Sequence, residues 1–381
     1  MRYLPNDFPS LIDPAKKLTE FPTFKDHGMR DCAQFLHGEL ARLGFEVKLD
    51  ELNNVYAEKT FNEGKGTFLI NTHFDTVPST PKWTRDPLHA SLEGDRLYGL
   101  GTSDAKGGIA GTLYALGRLK NCRFRKLEVL FSNYEDNNTT LNGETWLGTP
   151  YFLTHNHLEA ESGINVEGTV KDGKFMISLG CGGRVGFTVS TIGKQAHSSD
   201  PRLGRNAIYD MIKVIEALRT LPPARMLLDE HEAYTELNVS VIEGGTAINI
   251  VPGECKITCE RRVLPNESWD DVKKEVDKTF SGLSGINFKV EFYKPQRSYL
   301  MQRDHPVISL TKDSVIRTLG YEPKFRVESG RTDSIYFDQM SGIKTVIFGP
   351  GEDAHIPDEF IDFRRLEEFS RVLLHMLSTH N

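Results

Sequence analysis

The sequence predicts an α/β fold: a discontinuous main domain with a mixed sheet flanked by helices, into which a smaller α+β domain is inserted. Up to about residue 180, segments typical of buried strands alternate with segments of helical periodicity, which indicates a parallel or mixed sheet. From there to about residue 292, strand patterns with alternating apolar residues predominate, and the strand–helix alternation then resumes. These changes divide the 381 residues into two domains, in keeping with roughly 100–200 residues per domain.

The first part of the main domain alternates between helices and strands. Apolar residues at helical spacing predict a helix over residues 29–43, which Gly44 ends, and a strand over 45–49 follows. Strands with polar ends are expected over residues 65–78, 126–136 and 162–169, and a helix over 107–120. Ligands bind at the carboxyl ends of the strands in open α/β sheets, so the polar ends of these strands are the place to look for a site.

The Gly-rich segment 178–186 resembles a hinge and leads into the inserted domain. Within that domain we expect strands over residues 186–193, 235–245, 255–263 and 286–293, and helices over 206–221 and 268–280, the second one capped by Ser268. The main domain then resumes with a helix over 306–319, a strand over 344–351 and a helix over 364–378. The predicted boundaries are 1–180 and 293–381 for the main domain and 181–292 for the insertion.

Composition and charge narrow the classes of function. A hydrophobic share of 38% excludes a disordered chain, and a net charge of −7 without a basic stripe argues against a nucleic-acid partner. No apolar run approaches the ~20 residues that span a bilayer, so no membrane partner is expected. The N-terminus, with Asp7 and Asp13, lacks a secretory signal core, which predicts a cytoplasmic protein.

The five cysteines are scattered, which predicts reduced thiols rather than a disulfide framework. Cys255 and Cys259 would share one face of a strand, and we expect them to pack in a core rather than bind metal.

Polar side chains capable of metal binding follow several predicted strands. His73 and Asp75 are two residues apart, so in an extended chain they point to the same side. A metal-bound imidazole needs a hydrogen bond to its second nitrogen, which Asp75 would supply, although Asp75 could also ligate directly. The alternative for this pair is a solvated loop.

Four further acids and one histidine occur in similar places. Asp104 lies among glycines just before a helix, where the alternative is a simple helix cap. Glu135 and Asp136 are adjacent at a strand end; one could ligate a metal while the other serves as a general base, and a solvated loop is the alternative. Glu167 and the later His355 also follow strands, and each alone is more often structural or exposed.

Taken together and in order, these motifs resemble the zinc-dependent amidohydrolase and exopeptidase family of N-acetylornithine deacetylase, succinyl-diaminopimelate desuccinylase, aminoacylase-1 and glutamate carboxypeptidase. The resemblance covers nearly the whole chain. It rests on HFD at 73–75, YGLGTSDAKGG at 98–108, the acid pair 135–136, EGT at 167–169, GKQAHSS at 193–199, GGTAINIVP at 244–252, RVLP at 262–265 and GPGEDAHIPDE at 349–359.

The resemblance implies two metal ions and a role for each acid and imidazole. His73 and Glu167 would ligate one metal, Asp136 and His355 the other, and Asp104 both. Glu135 would be the general base, and Asp75 would orient His73. Nitrogen and oxygen ligands without a thiolate suit two Zn²⁺ per chain, with Co²⁺ or Mn²⁺ also possible.

The resemblance also implies how substrate is held. His197 and Asn249 of the inserted domain would hold the substrate carbonyl, and His197 would come from the partner subunit of a homodimer. Arg262 matches a position that grips a substrate carboxylate, and Arg331 is a further candidate, because a guanidinium binds a carboxylate in a bidentate manner.

The function implied is hydrolysis of the amide bond of an N-acyl amino acid, of deacetylase or desuccinylase type, by metal-activated water. The alternatives are a metallo-dipeptidase or carboxypeptidase with the same site, and a non-catalytic metal-binding relative.

Two departures from the family pattern affect the second metal position: Tyr134 precedes the acid pair where the family has Asp, and Asp136 stands where it has Glu. The segment after Asp136 also departs from the family pattern, which makes Glu144 a further, weaker candidate ligand.

Overall fold

The computed structural model describes residues 8–136 and 147–379. The helices are α1 (Phe8–Thr19), α2 (Asp26–Arg42), α3 (Lys106–Arg118), α4 (Thr149–His155), α5 (Ala207–Leu218), α6 (Trp269–Ser281), α7 (Pro306–Leu319), α8 (Ser334–Tyr336) and α9 (Phe363–Leu377). The strands are β1 (Glu46–Leu49), β2 (Val55–Thr60), β3 (Thr67–His73), β4 (Ser91–Glu93), β5 (Arg96–Tyr98), β6 (Lys126–Ser132), β7 (Ser162–Asn165), β8 (Val170–Lys171), β9 (Lys174–Phe175), β10 (Ile177–Cys181), β11 (Gly183–Ile192), β12 (Ala224–Leu228), β13 (His231–Thr235), β14 (Leu237–Gly244), β15 (Glu254–Val263), β16 (Phe288–Phe292), β17 (Tyr299–Leu300), β18 (Phe325–Glu328), β19 (Lys344–Ile347) and β20 (Phe360–Asp362).

The central sheet has the order β1-β2-β6-β3-β7-β19-β10-β17, and β18 pairs with β10. Its middle four strands, β6, β3, β7 and β19, are mutually parallel, whereas β2 and β10 on either side run antiparallel to them. This mixed sheet with its helices confirms the predicted α/β class. All residues of β3 and β6 are buried, as expected of parallel strands covered on both faces.

The helices next to the central sheet share one apolar core with its strands. Helix α9 contacts both α3 and α7, and α1 contacts α3. The buried face of α9 carries Leu366, Phe369, Leu373 and Leu377, which recur at helical spacing. No helix in the described ranges is long and apolar enough to cross a membrane.

A second sheet, in the order β14-β15-β11-β16, is wholly antiparallel and is packed against α5 and α6. Along β15 buried and more exposed residues alternate, so Cys255 and Cys259 point into the same apolar core. Their thiols are free, and the expectation that they pack in a core is confirmed. Helix α6 begins at the predicted cap, where Ser268 and Asp271 form a capping box.

Some boundaries differ from the prediction for local reasons. Helix α2 begins at Asp26, three residues before its first regular apolar position at Met29. The strand expected over residues 126–136 ends at Ser132, because the amide of Asn133 donates to the side chain of Asn54 and Tyr134 takes a left-handed backbone with φ 61°. The turn at Tyr134 is what directs Glu135 and Asp136 away from the strand.

Candidate metal centre

Four neighbouring strand ends bring most of the predicted site residues together. Because β6, β3, β7 and β19 are parallel and in register, with His73 opposite Ser132 and Ile347 opposite Asn165, their carboxyl ends lie at one edge of the sheet. The side chains that follow these ends are His73, Glu135, Asp136, Glu167 and His355. All five line one cavity, together with Asp104.

Asp104 reaches this edge from a loop before α3. Asp104 does not cap the helix, which was the alternative interpretation. Helix α3 begins after Ala105, and no side chain caps it. The loop is held by Glu359, which is only 2% exposed. Its carboxylate accepts hydrogen bonds from the backbone N–H groups of Gly101 (3.0 Å), Ser103 (2.7 Å) and Asp104 (3.1 Å).

The two carboxylate oxygens of Asp104 face different imidazoles. Oδ1 lies 2.9 Å from Nε2 of His73, and Oδ2 lies 3.3 Å from Nε2 of His355. Each imidazole has one further acid of its own: Glu167 Oε2 is 3.7 Å from Nε2 of His73, and Asp136 Oδ1 is 3.2 Å from Nε2 of His355. The site therefore consists of two histidine–carboxylate groups that share Asp104.

These groups fit metal ions. In a tetrahedral site with bonds of about 2.0–2.2 Å, neighbouring ligand atoms are roughly 3.3–3.6 Å apart, close to the separations found here. Ligand atoms of His73, Asp104 and Asp136 lie within 4.8 Å of one another. The pKa of Glu167 is raised to about 7, mainly by burial and also by the charges of Asp104 and Asp136, against the opposing effect of His73. Cations would relieve this crowding of acids.

The carboxylate of Asp75 is not the nearest acceptor to His73, although the sequence analysis expected it to orient this imidazole. The nearest acceptor to Nδ1 of His73 is the backbone carbonyl of Asp75, at 3.0 Å, while its carboxylate oxygen lies at 3.5 Å. The Asp75 carboxylate instead accepts the backbone N–H groups of Glu135 and Asp136, each at 3.0 Å. Asp75 thus fixes the imidazole with its main chain and the acid pair with its side chain.

Glu135 is buried and lies beside Arg331. The Arg331 guanidinium donates to the Glu135 main-chain carbonyl and, at 3.3 Å, to its Oε1, while Nη1 donates to the hydroxyl of Tyr336 at 3.0 Å. Burial raises the pKa of Glu135 well above its usual range, although Arg331 and His73 oppose the shift. A raised pKa is what a carboxylate needs to take a proton from water and release it again.

The cavity has a volume of about 560 Å³ and lies between the two sheets. The central sheet supplies the acids and imidazoles described above, and the second sheet supplies Arg184 from β11 and Arg262 from β15. Both substrate-binding arginines predicted from the sequence, Arg262 and Arg331, therefore line this cavity.

The structure does not bring His197 and Asn249 to the cavity of the same chain: neither belongs to its lining as far as the described residues go. Both are exposed on the second sheet's side of the molecule, where the amide of Ser198 donates to the carbonyl of Asn249. Glu144 lies outside the described residues. Sequence reasoning missed Glu359; the acid that ends the HIPDE segment after His355 was the only signal available.

The fold and the site define a metal-dependent amidohydrolase. Residues 69–379 match the sequence profile of Peptidase family M20/M25/M40, so the chain belongs to this family.

Among its relatives, the chain is 30% identical to an acetylornithine deacetylase of Vibrio vulnificus (strain CMCP6), over 89% of this chain and 88% of that one. It is likewise 30% identical to an acetylornithine deacetylase of Pectobacterium carotovorum subsp. carotovorum (strain PC1), over 92% of each chain. The structure resembles an M20 family metallo-carboxypeptidase from Sulfolobus solfataricus, with a TM-score of 0.78, 21% identity and 98% of each chain covered. A Bacillus subtilis protein described as a dinuclear metal-binding peptidase of the M20 family aligns with a TM-score of 0.67, at 14% identity and 96% of each chain.

Proposed function

We propose that this chain is a dinuclear zinc hydrolase that cleaves the amide bond of an N-acyl amino acid, of deacetylase or desuccinylase type. The observation that carries the proposal is the position of Asp104, with one carboxylate oxygen toward His73 and the other toward His355. The relatives named acetylornithine deacetylase, at 30% identity over most of the chain, support an N-acyl amino acid as substrate.

The residues that would hold the metal ions form two sets that share Asp104. One set has His73 and Glu167, and the other has Asp136 and His355. When bound, two divalent ions would polarise the amide carbonyl and lower the pKa of water, and zinc, cobalt or manganese suits these nitrogen and oxygen donors. Asp136 has a shorter side chain than the Glu that the family has at this position. Its carboxylate nevertheless lies at hydrogen-bonding distance from His355, where it would hold the second ion.

Glu135 would act as the general base. Its carboxylate would take a proton from the attacking water, and the resulting carboxylic acid would return that proton to the nitrogen as the amide C–N bond breaks. The backbone hydrogen bond from Glu135 to Asp75 would hold the base in position during both transfers. Arg262, with Arg184 beside it, would bind the α-carboxylate of the substrate.

A homodimer in which each chain lends His197 to its partner would complete the site. The second sheet exposes a group of apolar side chains: Tyr209 (67% exposed) and Ile212 on α5, and Val241 and Ile242 (57% exposed) on the edge strand β14. An exposed apolar face beside an unpaired strand edge is a typical subunit interface. On this proposal residues 181–292 form the dimerisation domain, and residues 1–180 and 293–381 the catalytic one.

We also place the protein in the cytoplasm, because its five free thiols suit a reducing compartment.

The test is an activity screen of the zinc-loaded protein on N-acetyl and N-succinyl amino acids and on dipeptides. We expect turnover of the acylated amino acids that a chelator abolishes and added Zn²⁺ restores. Glu135→Gln serves as the control: it should retain the metal content and lose activity by a factor on the order of 10²–10⁴. Turnover of dipeptides alone would instead establish a peptidase, and metal binding without hydrolysis of any substrate would contradict the proposal.

A further inference from the structure

The main chain of Glu135 is held on two sides. Its N–H donates to Oδ1 of Asp75 at 3.0 Å, and its carbonyl accepts a hydrogen bond from Nη2 of Arg331. Glu135 follows Tyr134, whose φ of 61° lies in the left-handed region that residues other than glycine rarely adopt. A residue in this conformation persists only where the surrounding structure holds it. Arg331 is therefore one of the contacts that maintain the turn of the proposed base.

Arg331 also contacts the side chain of Glu135. The same nitrogen, Nη2, lies 3.3 Å from Oε1 of Glu135, while Nη1 donates to the hydroxyl of Tyr336 at 3.0 Å. That hydroxyl accepts a second hydrogen bond, of 3.1 Å, from Nε2 of Gln296. A guanidinium is planar and its donors form a rigid fork, so a partner on one nitrogen orients the other. Tyr336 thus directs Nη2 of Arg331 toward Glu135.

The segment that carries Arg331 is tied to the strand that leads to Glu135. Oδ2 of Asp333, a residue that is 3% exposed, accepts hydrogen bonds of 2.6 Å from the hydroxyls of Ser132 and Thr149. Ser132 is the last residue of β6 and lies three residues before Glu135. Short buried hydrogen bonds therefore fix the position of Arg331 relative to the proposed base.

The surroundings of Arg331 leave little access for a substrate anion. Its side chain is 12% exposed, whereas that of Arg262, the residue proposed to bind the α-carboxylate, is 38% exposed. The negative charges of Glu135 and Asp333 both act on Arg331. Since a buried cation needs such partners, a substrate carboxylate on Arg331 would have to compete with groups of the protein itself. Arg262 is the more accessible guanidinium for that role.

From these contacts, and resting on the proposed function, we infer that Arg331 is a positioning residue for the general base and not a ligand of the substrate. It holds the main chain of Glu135 and orients its carboxylate. A base must lie within about 2.6–3.2 Å of the group whose proton it takes. A displacement of about 1 Å can lower the rate on the order of 10²-fold, so the contact with Arg331 bears directly on turnover.

The test separates turnover from binding, with N-acetylornithine as substrate or whichever acylated amino acid turns over faster in the activity screen. Arg331→Met should lower kcat about 10–100-fold, while KM and the inhibition constant of the free amino acid product stay within about threefold of wild type. Arg262→Met should show the opposite pattern, because it loses the α-carboxylate: both constants should rise about tenfold or more. Arg331→Lys should recover part of kcat, since an ammonium group can still donate to the Glu135 carbonyl.

Two further measurements distinguish positioning from a general structural role. In Arg331→Ala, about 20 mM guanidinium chloride, far below the molar concentrations that unfold proteins, should raise kcat several-fold, and the same concentration of sodium chloride should not. Tyr336→Phe keeps Arg331 but removes the acceptor that orients it, and it should lower kcat less than Arg331→Met does, without raising KM. Circular dichroism and metal content show whether each variant is folded and loaded; if Arg331→Met is not, Tyr336→Phe carries the test.

The outcomes separate this inference from the proposed function. An unchanged kcat in folded Arg331→Met, or in Tyr336→Phe if Arg331→Met does not fold, would overturn the inference. So would a rise in KM and in the product inhibition constant at unchanged kcat, which would make Arg331 a ligand of the substrate. Both results leave the proposed function standing. If the zinc-loaded wild type hydrolyses no acylated amino acid, the inference and the proposed function are both wrong.

Discussion

Oδ1 of Asp75 accepts a hydrogen bond of 3.0 Å from the backbone N–H of Glu135, which joins the residues that follow two neighbouring parallel strands, β3 and β6. The other oxygen, Oδ2, accepts the N–H of Asp136 at the same distance. One buried carboxylate therefore sets the position of both the proposed base and a proposed ligand, while the carbonyl of the same residue holds His73. The two halves of the site cannot shift independently.

We predict that Asp75→Asn lowers kcat by about 10–100-fold, because the amide offers one acceptor and a donor where two backbone N–H groups need two acceptors. Zinc affinity should fall over a similar range. Steady-state kinetics and a competition titration with a chromophoric chelator measure the two effects. Asp86→Asn, at an exposed loop position, is the matched control and should leave both quantities unchanged; a fully active Asp75→Asn enzyme would contradict the role given to this carboxylate.

We expect Glu359 to stabilise the loop that carries Asp104. Glu359→Gln replaces a carboxylate that accepts three backbone hydrogen bonds with an amide whose NH₂ group would face an N–H, so we expect a loss of about 1–3 kcal/mol in the free energy of unfolding and a lower metal content. Urea unfolding and elemental analysis test this. Glu352→Gln, on an exposed side chain nearby, is the control. Unchanged stability and metal content in Glu359→Gln would show that the loop does not depend on this acid.

The proposed exchange of His197 between subunits predicts complementation. His73→Ala and His197→Ala should each be nearly inactive, yet a heterodimer of the two would contain one intact site. Random mixing after dissociation should therefore recover about one quarter of wild-type activity per chain. Co-expression with different affinity tags isolates the heterodimer. If that heterodimer remains inactive, His197 acts within its own chain or not at all.

Acid should weaken the structure around the hairpin of β12 and β13. Burial and, to a smaller extent, the charges of Arg326 and Lys171 together lower the pKa of His231 to about 4. The folded state thus resists protonation, so the unfolded state binds the extra proton between about pH 6.5 and 4 and stability falls as the pH drops through that range. His231→Gln should flatten this part of the curve of Tm against pH. His157→Gln, at an exposed position, should not; equal curves for wild type and His231→Gln would contradict the prediction.

The periodic elements were predictable because their signals are local. Helix α7 runs over the predicted residues 306–319, since its apolar face recurs at helical spacing and Gly320 ends it with φ 78°. Apart from Asp104, which lies before a helix, the proposed ligands were predictable because they follow strands of the central sheet, and the ends of parallel strands share one edge of the sheet. The hairpin β12–β13 was not predicted, because β12 has the sequence ARMLL, in which apolar and polar residues do not alternate.

Long-range hydrogen bonds could not be predicted in the same way. The carboxylate of Glu359 supports a loop 256 residues earlier in the chain, and Arg331 contacts Glu135 across 196 residues. Neither pairing leaves a spacing pattern, because a side chain that accepts or donates a single hydrogen bond has no periodicity. The sequence indicated that Arg331 binds substrate but not that it pairs with the proposed base.

The most direct test of the shared role of Asp104 is a crystal structure of the zinc-loaded protein with anomalous data collected at the zinc edge. We expect two anomalous peaks per chain, about 3.5–4 Å apart, with one carboxylate oxygen of Asp104 toward each. His73 and Glu167 should bind one ion, and Asp136 and His355 the other. A single peak, or two peaks of which only one contacts Asp104, would contradict the dinuclear site.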